Sequence, residues 1–158
     1  MKSAVPFIIR LVLGGLFLVS GIAKVLDPIR FLFTVREFRL FPGTVEPFLA
    51  LFLPWFEAVL GLFMVLGLFL RTSSLLLGCL NLLFMTAILS VMARGFEIDC
   101  GCFGLLADIL PLPDMADHKA VVRNMIFIGM CWYLCRAQAT FLSLDTLLAH
   151  RRHDQKTA

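Results

Sequence analysis

Two cysteines separated by one residue, Cys100-Gly101-Cys102, are the side chains of this sequence best suited to covalent chemistry. Thiol–disulfide exchange needs an accessible thiolate and a second thiol near enough to resolve the mixed disulfide. The C-x-C spacing supplies the second thiol by sequence alone, and a single intervening residue makes the oxidised ring small and strained. Glycine is the residue best able to adopt the backbone angles of such a ring. Strained disulfides are the labile kind, so Cys100 and Cys102 read as a catalytic donor or relay of oxidising equivalents rather than a staple.

The surroundings of the pair are acidic. Asp99 beside Cys100 opposes thiolate formation, although it can also accept a proton, and His118 or Lys119 further along would offset its charge. Cys100, Cys102 and His118 together fall one ligand short of a closed zinc site, and no metal is expected. Cys79, Cys131 and Cys135 lie in apolar runs, where cysteine behaves as a small hydrophobe. Cys131 and Cys135 are one helical turn apart, a spacing that does not suit a disulfide within an intact helix, so packing is their expected role.

The elements that must carry this loop are membrane spans. Of 158 residues, 60% are apolar and only 16% charged, against roughly 25% charged in soluble proteins, and the mean hydropathy is +0.93. A spanning helix needs about 20 predominantly apolar residues. Four such stretches cover about 5–26, 45–70, 73–93 and 120–137, which predicts an all-α, polytopic four-helix membrane bundle over 1–140 and a polar tail over 141–158. Arg123 and Asn124 interrupt the start of the fourth, and Arg71 is expected to stop the second before a tight hairpin. Arg10 followed by an uncharged run and Gly21-Ile22-Ala23 also admits a cleaved signal peptide in place of the first span.

The basic residues are scattered, giving a net charge of +3 without a nucleic-acid footprint. Residues 27–44 mix Arg30, Arg36, Glu37 and Arg39 with Phe31, Phe33, Phe38 and Phe41, as a short interfacial helix would. With four spans both termini share one side and the loop over 94–119 lies on the other. The Lys/Arg balance between sides is nearly even, and the Arg71 turn and the Arg151-Arg152-His153 run favour termini inside. That orientation puts Cys100 and Cys102 on the extracytoplasmic, oxidising side.

Charges within the spans fall on defined faces. At 100° per residue, Arg10, Gly14, Phe17, Gly21 and Lys24 lie within about 80° of one another on the first helix. Pro54, Glu57, Gly61 and Met64 share a face of the second. On the fourth, Asn124, Phe127, Ile128, Cys131 and Cys135 do so. Charge is costly toward lipid and glycine permits close helix approach, so the first two faces should meet, with Lys24 paired to Glu57. The pair is either an orienting ion pair or the lining of a polar, cofactor-binding pocket for a proton or a quinone.

Several runs resemble a known family: Gly15 to Pro28 (GLFLVSGIAKVLDP), Leu53-Pro54-Trp55-Phe56-Glu57 with Gly61, Arg94-Gly95, and Asp99-Cys100-Gly101-Cys102-Phe103-Gly104. They are similar to the methylamine utilisation protein MauE and the wider DoxX-like membrane family. The resemblance covers about residues 5–135 and carries over to Lys24, Glu57, Cys100 and Cys102. It implies a four-helix protein of the bacterial inner membrane, acting in maturation of the disulfide-rich small subunit of methylamine dehydrogenase beside a thioredoxin-like periplasmic partner.

Two functional readings follow. In the first, the protein is a membrane thiol–disulfide oxidoreductase that exchanges disulfides through Cys100 and Cys102 with an extracytoplasmic partner or substrate protein. In the second, it is a non-catalytic scaffold or assembly subunit whose CGC loop is a fixed structural element. A solute carrier is disfavoured, since the chain lacks the internal repeat of common transporters.

Overall fold

The computed structural model describes residues 4–95 and 118–136, which form five helices and, among these residues, no strand. The helices are α1 (Ala4–Leu26), α2 (Pro28–Phe38), α3 (Glu46–Leu66), α4 (Leu70–Ala93) and α5 (His118–Arg136). The tail expected over 141–158 and the loop carrying Asp99, Cys100 and Cys102 lie outside the described residues.

Local sequence sets most of the boundaries. Asp27-Pro28 separates α1 from α2: Asp27 Oδ1 accepts from the Arg30 backbone N–H at 3.1 Å, and the proline lies in the first turn of α2, where no N–H is needed. Helix α3 ends at Gly67, whose φ of 70° is the left-handed cap glycine favours. The hairpin between α3 and α4 is as tight as expected, but it turns at 67–69, and Arg71 stands in the first turn of α4 instead of ending the preceding span. The cap geometry available to glycine, and not the position of the charge, decides where the helix stops.

Helices α1 and α3 pack antiparallel with their backbones in contact. A Cβ built on Gly21 would lie 2.6 Å from the Ala58 nitrogen, and one on Gly61 would lie 2.5 Å from the Leu18 nitrogen. Helix α5 packs antiparallel on α4, where Gly78 faces Cys131. Leu13, Phe17, Leu60, Met64, Leu77, Leu80 and Leu134 fill the centre of the bundle. The amphipathic α2 packs Phe31 and Val35 against Ala50 of α3 and is tied down by two arginines. Arg36 pairs with Glu46 at 3.2 Å, and the Arg94 guanidinium donates to the Phe38 carbonyl.

The distribution of polarity is that of a membrane protein. Arg10, Ser20, Lys24, Glu57, Ser74, Asn81 and Asn124 are buried, whereas Ile8, Leu11, Phe48, Phe52, Trp55, Leu82 and Leu83 are exposed. Such an arrangement places apolar side chains toward hydrocarbon and polar ones toward the bundle. Helices α1, α3 and α4 are long and apolar enough to cross a membrane. The fourth expected span corresponds to α5, whose opening His118, Lys119, Arg123 and Asn124 leave it below that threshold.

The order of the helices brings the C-terminal ends of α1 and α4, the N-terminal ends of α3 and α5, and all of α2 to one end of the bundle. Phe38, Val91 and Ala120 pack together there. Gly95 and His118, the described residues that flank 96–117, therefore both lie at that end.

Candidate functional site

The two charged faces read from the sequence meet inside the bundle. Arg10, Gly14, Phe17, Gly21 and Lys24 are all buried on α1, as are Pro54, Glu57, Gly61 and Met64 on α3. Because Gly21 allows α1 to rest on the backbone of Ala58, Lys24 comes alongside Glu57. Its Nζ donates to Glu57 Oε2 at 2.7 Å, with the two side chains 1% and 2% exposed.

Lys24 has further partners. Its ammonium lies 5.2 Å from the centre of the Phe84 ring and 5.5 Å from that of Phe31, within the range at which a cation is attracted to an aromatic face. The lysine is thus held by one carboxylate and two rings contributed by α2, α3 and α4. Arg10, deeper along the same stripe, places its guanidinium 5.1 Å from the Phe7 ring centre.

A small cavity adjoins the ion pair. Leu16, Phe17, Ser20 and Lys24 of α1 line it with Glu57 of α3, Asn81 and Phe84 of α4, and Arg123, Asn124 and Phe127 of α5. Its volume is about 20 Å³. Phe17 and Phe127 meet edge to face at 5.8 Å on one wall. Asn124 Nδ2 donates to the Ala120 carbonyl at 2.9 Å, a back-bond that commits one amide N–H within its own helix.

Asn81 and Phe84 were not evident as site residues from the sequence. Asn81 does carry a signal, because it is the polar residue in the middle of the apolar run Leu75–Met85. Phe84 carries none, since a phenylalanine on an apolar helix is indistinguishable from a lipid-facing one.

The other sequence candidates fall apart from this cluster. Cys131 is buried, Cys135 half-buried and Cys79 exposed, and all three are free thiols. His118 and Lys119 are exposed at the start of α5. Cys100 and Cys102, and with them the proximity of Asp99 to His118, lie outside the described residues.

The family model of the methylamine utilisation protein MauE matches residues 2–137, a range that takes in all five described helices. The chain belongs to the MauE family. The match takes in Lys24, Glu57, Cys100 and Cys102 alike, so the buried ion pair and the CGC loop sit within one family unit. The chain is also 30% identical over 144 residues to protein TlpB of Flavobacterium psychrophilum. That alignment covers 84% of this chain but 37% of TlpB, so the chain spans little more than a third of this curated relative. No solved structure matches the chain.

Proposed function

We propose that this MauE-family membrane protein is a thiol–disulfide oxidoreductase in which Cys100 and Cys102 exchange disulfides with a protein partner on the extracytoplasmic side of the bacterial inner membrane. The observation that carries the reading is the Asp-Cys-Gly-Cys sequence at 99–102, within the matched family unit and within a polar segment that joins α4 to α5. Among the five cysteines it is the pair whose spacing permits a resolving thiol.

The exchange balances without an added reagent. One thiolate of the reduced pair attacks a disulfide of the partner, forming a mixed disulfide and expelling a partner thiolate, which takes up a proton. The second thiol, losing its proton, attacks the mixed disulfide and closes the CGC ring. Two electrons pass from the pair to the partner, which leaves as a dithiol, and the reverse sequence oxidises the partner. A thioredoxin-like protein, or a substrate such as the disulfide-rich small subunit of methylamine dehydrogenase, fits this role. TlpB, which contains a similar unit in a much longer chain, is consistent with a module that works beside another domain.

The Lys24–Glu57 cluster is the intramembrane part of the proposal, as a pocket for a proton or a quinone. Size favours the proton. Sites for organic cofactors measure about 300–1,000 Å³, whereas this cavity measures about 20 Å³, so a quinone ring would have to displace Phe84 and Phe127. A purified sample in lipid, given a quinone after reduction of the pair, tests this point: no reoxidation is expected, and rapid reoxidation would restore the quinone reading.

Replacement of Cys100 and Cys102 by serine separates the oxidoreductase from the scaffold. Loss of partner maturation with normal protein levels supports exchange. Unchanged maturation supports a structural CGC loop.

A further inference from the structure

The ion pair has a neighbour with unmet hydrogen-bonding capacity. Asn81 is 2% exposed and lines the cavity from α4, and among the described residues its Nδ2 has no acceptor. A buried amide left unmatched keeps the full penalty of its desolvation. The cavity beside it, at about 20 Å³, exceeds the roughly 10–15 Å³ that one water requires and falls far short of a larger ligand. Water is retained in such a space when two to four polar groups converge on it. Asn81, Glu57, Ser20 and Asn124 all line the cavity, and Asn124, having committed its nitrogen to Ala120, retains its carbonyl oxygen.

We propose that this cavity is a binding site for a single water molecule, which accepts from Asn81 Nδ2 and donates to Glu57. The charged groups lining the site are Lys24 from α1, Glu57 from α3 and Arg123 from α5, while α4 contributes Asn81 and no charge. The Glu57 carboxylate, already paired with Lys24 through Oε2, is the charged acceptor that holds the water in place. The site goes beyond the thiol exchange proposed above and does not depend on it.

Hydroxyl-radical footprinting of the full chain in lipid nanodiscs, generated by X-ray pulses and read by peptide mass spectrometry, tests the water directly. Oxidation of Phe17, 7% exposed on the cavity wall, is expected to exceed that of the lipid-facing Phe48 and Phe52. It should be lost in Asn81→Leu, which fills the cavity with a group needing no acceptor, and retained in Asn81→Ser. Phe17 oxidation no greater than that of Phe48 overturns the site, as does oxidation unchanged in a folded Asn81→Leu. Infrared spectra of the unaltered protein give a second readout: an internal-water O–H band that shifts in H₂¹⁸O is expected, and its absence overturns the site even if the variants fail to fold.

Discussion

Gly21 lies against Ala58 so closely that a Cβ on the glycine would sit 2.6 Å from the Ala58 nitrogen and 2.9 Å from its Cα. This contact stands beside the Lys24–Glu57 bridge and makes it possible. The close approach of the two backbones lets a lysine near the end of α1 reach an acid in the body of α3 while both charges stay away from lipid.

Substitution at the close contacts should therefore destabilise the bundle in a site-specific way. Gly21→Val and Gly61→Val must each push backbone away from backbone, and overpacking of this kind costs about 1–3 kcal/mol. Gly15→Ala is the control, because nothing lies within 4 Å of a Cβ placed there. Thermal unfolding in detergent should show a lowered midpoint for the two valine variants and none for Gly15→Ala.

Breaking the ion pair on one side should cost more than removing it whole. Lys24→Met or Glu57→Leu leaves a buried charge unmatched, a loss on the order of 3–5 kcal/mol, whereas replacement of a whole buried pair by apolar side chains is often neutral. The double variant is expected to recover most of the stability lost in either single one, as measured by reversible denaturation in mixed micelles. Equal losses in all three would mean that the pair contributes to folding through something other than its charge.

Arg94 joins the end of α4, next to the segment that carries the cysteines, to the last turn of α2. A hydrogen bond with a charged donor contributes about 1.5–3 kcal/mol, so Arg94→Ala should loosen α2 without unfolding the bundle. Hydrogen exchange should accelerate over 28–38 and stay unchanged over the centres of α1 and α3.

Much of this arrangement is legible in the sequence because helical periodicity is strong wherever charges and glycines recur. The i, i+4, i+7, i+11, i+14 series from Arg10 to Lys24 identifies the inward face of α1, and Pro54, Glu57, Gly61 and Met64 do the same for α3. Antiparallel packing of two such faces then brings Lys24 to Glu57. Elsewhere the signal thins out. Arg71 reads as a stop, yet the helix ends at Gly67 because termination depends on a left-handed residue and its hydrogen bonds. Asn81 shares its buried face with Ser73 and Ser74, whose small hydroxyls mark a helix face far more weakly than a charge does. Phe31 and Phe84 become partners of Lys24 only once three helices are assembled.

A trapped intermediate is expected when one sulfur of the pair is removed. With either Cys100→Ser or Cys102→Ser, the remaining thiol can form the mixed disulfide but the resolving thiol is missing. One of the two variants should accumulate a higher-mass adduct on non-reducing gels that disappears with dithiothreitol, with the bundle as stable as before.

The proposed exchange requires that Cys100 and Cys102 face water outside the cytoplasm and change oxidation state in the cell. Treating intact cells with a membrane-impermeant maleimide, with and without prior reduction, and following the gel shift of the full chain reads both properties together. The expected result is a shift that grows on reduction and is lost in the Cys100→Ser/Cys102→Ser double variant. A shift obtained only after the cells are opened, or one that reduction leaves unaltered, would contradict it.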